Sequence, residues 1–388
     1  MNPGLSIWLD FLRVWATIVV VLSHVAYPRF TRGDYIVIRE LNLGSDGVIV
    51  FFVISGMVIA YAAGRDAKLS TYAFNRLTRL LSVLLPALLL TFTLDQIGRS
   101  IGPDAYNNNF YNPIAFTQLM GRGISMSNEW GLFDRIRLGS NGPLWSLSYE
   151  AGYYILFAAA FFLSGMRRVA VLMCAILLIG PRVLLLMPAW LMGVWLWNWV
   201  ASGGPSRLSG RSAVILALGG PILYAYSLWV GLPVSLMITT VQFFALFDHH
   251  ILLGFSNEFI WNALVGLMTA IHILGMARLL QNYQGNHPQI RWWAGASFSI
   301  YVTHYPALHL IDAFFPAETL ARDAFFVVGS ILVGLAFAQI FERRIGSIRR
   351  GIAQLQRRLP RTAFGSYLSR IRFSKRRKSK ESEIVIVK

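Results

Sequence analysis

The sequence predicts an all-α protein, a polytopic transmembrane helix bundle of about ten spans with cytoplasmic N- and C-termini. Three observations predict it. Of the 388 residues, 55% are hydrophobic and only 14% are charged, whereas a soluble chain carries roughly a quarter charged residues. The mean hydropathy is +0.54. The apolar residues gather into runs close to the roughly 20 residues that a bilayer core demands. Together these exclude a disordered chain and leave no room for a large soluble domain. The single cysteine, Cys174, excludes an internal disulfide and a cysteine-based metal cluster.

Eleven runs succeed one another along the chain. Trp8–Tyr27 comes first. It carries Arg13 near one end and His24 near the other and lacks a clear cleavage site, so it reads as a retained span rather than a signal peptide. Gly44–Gly64 and Leu77–Ile97 are the second and third. The longest polar stretch, Gly98–Asn141, would lie outside, with Phe110, Tyr111, Phe116 and Trp130 suited to an ordered lid. Leu144–Gly165 is the fourth, and Arg168–Leu186 and Pro188–Val200 come next, broken by Pro181 and Pro188. The last five are Ser212–Val230, Pro233–Phe247, Phe259–Leu280, Ala294–Phe315 and Phe325–Phe341.

Charge placement sets the number that cross. Cytoplasmic loops carry excess Lys and Arg. Arg65, Lys68 and Arg76, then Arg167 and Arg168, then Arg207 and Arg211, mark three links as inner, which puts the N-terminus inside. The net charge is +17, and from Arg343 onward 15 basic and 2 acidic residues give +13. A tail of that kind belongs inside as well, so the span count is even. The short, proline-led Pro233–Phe247 is the run expected not to cross, which leaves Asp248, His249, His250 and Glu258 outside. Residues 1–342 thus form the membrane domain and 343–388 a basic cytoplasmic tail. Ile345, Ile348, Ile352, Leu355 and Leu359 recur there at helical spacing, with Pro360 ending the pattern: an amphipathic helix on the inner surface. The partner expected of this basic block is anionic lipid, not nucleic acid.

Polar groups inside a membrane are costly and usually functional. Arg13 and His24 are eleven residues apart, so they share a helix face and stand about 16 Å apart along the axis. Asp46 opens the second run in Gly44-Ser45-Asp46-Gly47, where it can approach His24 across a short link or cap its own helix, two compatible readings. Arg76 and Arg79 share one face and suit a phosphate, although topology-setting charge explains the pair better when it is taken alone. In Asn141-Gly142-Pro143-Leu144-Trp145-Ser146-Leu147-Ser148-Tyr149-Glu150, Trp145 and Ser148 share one face and Ser146 and Glu150 another. Glu150 needs a cation or a hydroxyl as partner. His304 lies mid-span in Tyr301-Val302-Thr303-His304-Tyr305-Pro306, five residues from His309, a poor spacing for a shared metal. His272 is isolated. No metal site is inferred, and no phosphate loop, nucleophile elbow or zinc-binding histidine pair is present.

Taken together, these segments resemble the acyltransferase family 3 membrane proteins. The likeness runs from Leu9 to about Glu342. It is carried by Leu9-Asp10-Phe11-Leu12-Arg13 through His24, by Gly44-Ser45-Asp46-Gly47 through Phe51-Phe52-Val53-Ile54-Ser55-Gly56, by Arg76 and Arg79, by Asn141 through Glu150, and by Gly295 through Pro306. Five pieces in this order are specific where each alone is not. The chain departs from the pattern at Ala151 and Gly152, where relatives often carry a second glutamate and a glutamine, so Glu150 would act alone. Pro86 comes late after the arginine pair. A fused extracytoplasmic hydrolase-like domain, frequent in relatives, is not expected.

The resemblance implies O-acyl transfer from acyl-CoA, acetyl-CoA by default, to a hydroxyl of a glycan or glycoside outside the inner (plasma) membrane, with no tightly bound cofactor. It implies that Arg13, Arg76 and Arg79 hold the donor. His24 would act as general base or be acylated briefly, with Asp46 or Glu150 orienting it. Trp145, Ser148 and His304 would line the acceptor pocket. The alternative is a multi-span transporter or flippase for a sugar or lipid-linked substrate, which also needs intramembrane charge.

Overall fold

In a computed structural model, residues 1–107, 111–244, 253–315 and 320–358 are described. Among them the regular structure is helical, and the protein is an all-α membrane bundle. The principal helices are α1 (Pro3–Val25), α2 (Leu43–Asp66), α3 (Leu69–Ile101), α4 (Phe116–Ile124), α5 (Trp145–Phe162), α6 (Gly165–Ile179), α7 (Met187–Ala201), α8 (Gly210–Trp229), α9 (Leu232–Phe243), α10 (Phe259–Leu279), α11 (Ser297–Phe314), α12 (Leu320–Ile340) and α13 (Ile345–Arg358). Each predicted run contains a helix. Six helical segments are long and apolar enough to cross a membrane: α1, α2, α3, α8, α10 and the stretch Ala321–Gly351. The runs assigned to the other four spans form α5, α6, α7 and α11, of 15 to 18 residues. Helix α9, with 12 residues, is about 18 Å long, short of the roughly 30 Å hydrocarbon core. Asp248, His249 and His250 lie outside the described residues, as do Asn108, Asn109, Phe110, Leu359, Pro360 and the rest of the tail.

Local signals set the helix ends. Asn2 caps α1, its Oδ1 accepting from the Leu5 amide at 2.8 Å with Pro3 at the first position. Gly180, at φ +80°, ends α6 before Pro181 restarts the chain. A proline inside α11 has the widest reach. Pro306 has no N–H, so the carbonyl four residues earlier, on Val302, loses its helical donor. The Asn141 side chain supplies one at 2.8 Å, which ties the Asn141–Glu150 segment to the late histidine segment.

Helix α2 sits at the centre. It packs against α1 on one side and α7 on the other, while α8 lies against α10 and α11 against both α3 and α12. Two of these contacts are backbone on backbone. A Cβ added at Gly56 would collide with the Trp190 carbonyl, and one at Gly193 with the Val53 carbonyl. On α8 and α10, Gly220 and Gly275 meet the partner backbone in the same way. Close approach through small residues is how helices associate where lipid removes the hydrophobic drive.

The ends of α1, α3 and α11 and the start of α12 meet at one face, here the upper face. There Arg29 donates to the Ala105 carbonyl at 3.3 Å and pairs with Asp312 at 3.4 Å. Arg322 donates to the Phe30 carbonyl at 2.9 Å and pairs with the same Asp312.

At the lower face α13 docks on α3, with Arg349 Nε donating to Thr78 Oγ1 at 3.1 Å. Because the α2–α7 contact leaves no space for a side chain, Gly193→Leu should cost at least about 2 kcal/mol through overpacking and lower Tm in detergent. Gly219→Ala, on an open helix face, should leave Tm unchanged or raise it.

Candidate active site

A cavity of about 300 Å³ lies between α1, α2, α3, α5 and α11. Arg13, Arg76, Arg79, Glu150 and Tyr301 all line it. Four predicted site residues, from three helices, thus come to one space. Arg13 is held by Ser297 Oγ at 3.0 Å and by Asp10, one turn earlier, at 3.6 Å. Arg76 is 8% exposed, and its buried Nε has no hydrogen-bond partner. Glu150 finds hydroxyls, not a cation: its Oε1 accepts from Tyr154 at 2.6 Å and from Ser55. Phe51, Leu80 and Leu147 make the remaining wall apolar. The result is a cationic mouth with an apolar shaft, and Tyr301 closes it.

Behind Tyr301 stands a histidine pair. His24 Nδ1 lies 2.8 Å from His304 Nε2, with the rings stacked at 5.0 Å. His304 is fully buried, and its Nδ1 faces the carbonyls of Tyr301 at 2.8 Å and Ile300 at 3.1 Å. Carbonyls only accept, so Nδ1 of His304 carries a hydrogen and the Nε2 of a neutral ring presents a lone pair. His24 must then donate from Nδ1, which leaves its own Nε2 unprotonated. This tautomer is assigned from the hydrogen-bond network. Nε2 of His24 makes no hydrogen bond among the described residues. Tyr305 meets the His24 ring edge-on at 4.8 Å.

Asp46 is not beside His24, which corrects the expected pairing. Gly44 and Gly47 are the residues that face α1, against Ser23 and Ala16, and Asp46 is turned about 100–200° from them. Its carboxylate instead accepts from Tyr224 at 2.7 Å and Trp261 Nε1 at 2.9 Å, joining α2 to α8 and α10. Among the described residues, the side-chain hydrogen-bond partner of His24 is His304 and not a carboxylate.

Trp145 and Ser148 also lie off the arginine cavity, which takes Ser146 and Glu150 from the other faces of α5. Trp145 stacks on Phe255 at 4.5 Å. Ser148 accepts from the Glu129 amide at 3.1 Å, and its carbonyl accepts from Trp130 Nε1 at 2.9 Å.

These contacts hold the wall of a second, polar cavity of about 650 Å³ at the upper face, lined by Asn128, Glu129, Arg135, Arg137, Gly142 and Phe255 among others. Arg135 lies 4.4 Å over the Phe255 ring and pairs with Glu129 at 2.9 Å. Burial pushes the Glu129 carboxyl up to about 7, against the pull of Arg135. A Cβ added at Gly142 would stand 3.7 Å from Arg137 Nη1 and 3.9 Å from Tyr305 Cε1, so one tyrosine separates this vestibule from His24. Glu129 and Arg135 escape sequence reasoning because their segment reads as an undivided polar loop. Its interleaved Trp130 and Phe133 are the available signal.

Comparison with known proteins gives a consistent picture. A family model described as an acyltransferase domain matches residues 6–339. Acyltransferase MdmB of Streptomyces mycarofaciens is 26% identical over 156 residues, 38% of this chain and 37% of the relative. The match thus spans well under half the length of that relative. No solved structure matches. The family match extends from the first helix to the end of α12 and includes every residue of both cavities except Met1, and on that coverage the chain belongs to acyltransferase family 3.

Proposed function

We propose that this acyltransferase moves an acyl group, acetyl by resemblance, from cytoplasmic acyl-CoA to a hydroxyl of a glycan or glycoside outside the inner membrane. The observation that carries the reading is the position of His24 Nε2, to which the hydrogen-bond network assigns a lone pair. His24 belongs to a pair that stands one tyrosine away from each of two cavities of opposite character. Tyr301 separates it from the cationic one and Tyr305 from the polar one.

The donor enters from the lower, cytoplasmic face. Arg13, Arg76 and Arg79 hold its phosphates, and the pantetheine arm runs along the apolar wall toward the histidines. Glu150, tied to two hydroxyls, offsets part of the arginine charge beside that arm. The acceptor enters through the vestibule. Phe255 with Arg135 above it gives a flat face there, and Asn128 and Glu129 present polar atoms to sugar hydroxyls. Trp145 and Ser148 hold that wall rather than touch the acceptor.

In the reaction, the acceptor O–H gives its proton to His24 Nε2 as its oxygen attacks the thioester carbonyl. The C–O bond forms, the C–S bond breaks, and the imidazolium returns the proton to the departing thiolate. His304 fixes the tautomer and shares the positive charge, a task that a carboxylate performs in serine hydrolases. Asp46 takes no part in this step and staples three helices. The basic tail lies on anionic lipid.

Release of free CoA from labelled acetyl-CoA by purified protein with a panel of glycosides tests the reading. His24→Ala should lower transfer about 10²–10⁴-fold while the protein stays inserted and folded; wild-type transfer by that variant would remove the mechanism. His304→Gln should lower kcat at least about tenfold through loss of the tautomer and leave the donor KM unchanged. Above about pH 7 the Glu129–Arg135 pair is ionised, and below it Glu129 takes up a proton. Acceptor KM should therefore rise as pH falls through 7, and Glu129→Gln should flatten that profile.

A further inference from the structure

We propose that Arg349, on the helix after the last span, is a donor-recognition residue that joins Arg76 and Arg79 in one phosphate site and reads the ribose 3′-phosphate of coenzyme A. This rests on the reading of the arginine cavity as the donor site.

Arg349 is held where a third guanidinium would otherwise be unwelcome. Its Nε donates to Thr78 Oγ1 at 3.1 Å and its Nη2 to the Asn75 carbonyl at 2.8 Å. Asn75 and Thr78 immediately precede Arg76 and Arg79, so the guanidinium lies against the same turn of α3. The charges of Arg76 and Arg79 act on it directly, and Arg65 adds to them. The carboxylate that acts on both Arg349 and Arg76 is Asp66. Its Oδ1 is already taken by Asn75 Nδ2 at 3.0 Å and by Arg65 at 3.9 Å. Its Oδ2 is buried and makes no hydrogen bond among the described residues, so this one carboxylate faces Arg65, Arg76 and Arg349, and guanidiniums in excess of it repel one another unless a further anion joins them.

A second observation points to that anion. Arg76 is more than nine-tenths buried, lines the cavity, and keeps a buried Nε without a partner. A buried guanidinium nitrogen left unpaired is costly, and a phosphate oxygen satisfies it with a charge-assisted bond.

Position then divides the labour. Arg76 and Arg79 line the cavity, whereas Arg349 does not line it and is fixed on the adjoining residues Asn75 and Thr78. It therefore meets the part of the donor farthest from the thioester, which in coenzyme A is the phosphorylated ribose. Arg349 Nη1 makes no hydrogen bond among the described residues and remains to donate.

Calorimetric titration of the full-length protein in detergent with coenzyme A and with 3′-dephospho-coenzyme A tests this. The wild type should bind coenzyme A about tenfold more tightly, the size of one charge-assisted hydrogen bond. Arg349→Ala should weaken coenzyme A by that factor and leave dephospho-coenzyme A unchanged, and Arg349→Lys should restore part of the difference. The double variant Arg76→Ala/Arg79→Ala should weaken both ligands.

The assignment is overturned if the wild type does not distinguish the two ligands. It is overturned equally if Arg349→Ala keeps the wild-type ratio, or lowers both affinities together with Tm. If the double variant binds both ligands as the wild type does, the donor reading of the cavity falls, whatever Arg349 does.

Discussion

Two backbone carbonyls on α11 set the chemistry of an imidazole on α1. The oxygens of Ile300 and Tyr301 can only accept, so they hold a hydrogen on His304 Nδ1. The remaining assignments are then forced: His304 Nε2 accepts, His24 Nδ1 donates, and His24 Nε2 keeps its lone pair. The arrangement needs no carboxylate, and among the described residues none hydrogen-bonds to His24. A buried neutral pair also avoids the desolvation penalty that an ion pair would incur at this depth. Its orientation depends on α11 being held in register. Pro306 contributes by freeing the Val302 carbonyl for Asn141, which locks the vestibule loop to the histidine helix.

The membrane explains why polar residues are so few and so concentrated. In hydrocarbon each polar group must find a protein partner. Those of this chain fall into separate networks, each spanning several helices. Asp46 joins α2, α8 and α10, and Asp312 joins the end of α11 to Arg29 and Arg322. Glu150 joins α5 to Ser55 on α2. The last depends on the glycine contact between α2 and α7, because Ser55 stands next to Gly56 and also receives Trp190 Nε1 at 3.3 Å. Packing and chemistry are thus coupled at one turn of α2.

The two cavities differ in a way that suits two reactants. One is narrow, cationic at its mouth and apolar along its wall. The other is wider and polar, with an aromatic floor under a guanidinium. The histidine pair stands between them, beside Tyr301 on one side and Tyr305 on the other.

Much of this was legible in the residue order alone. Hydrophobic runs of bilayer length announced the helical bundle, since lipid admits little else. The eleven-residue spacing put Arg13 and His24 on one face because 3.6 residues make a turn. Arg76, Arg79 and Glu150 stood out as charges that an apolar helix must have a reason to keep. What residue order could not determine is which helix each face meets. Chain proximity favoured Asp46 as the partner of His24, yet the glycines beside it took the α1 contact and turned the carboxylate to α8 and α10. His304, 280 residues from His24, became its partner instead. Helical periodicity is local and survives in a single sequence, whereas the pairing of faces is settled by close packing among helices far apart in the chain, and only the tertiary structure decides it.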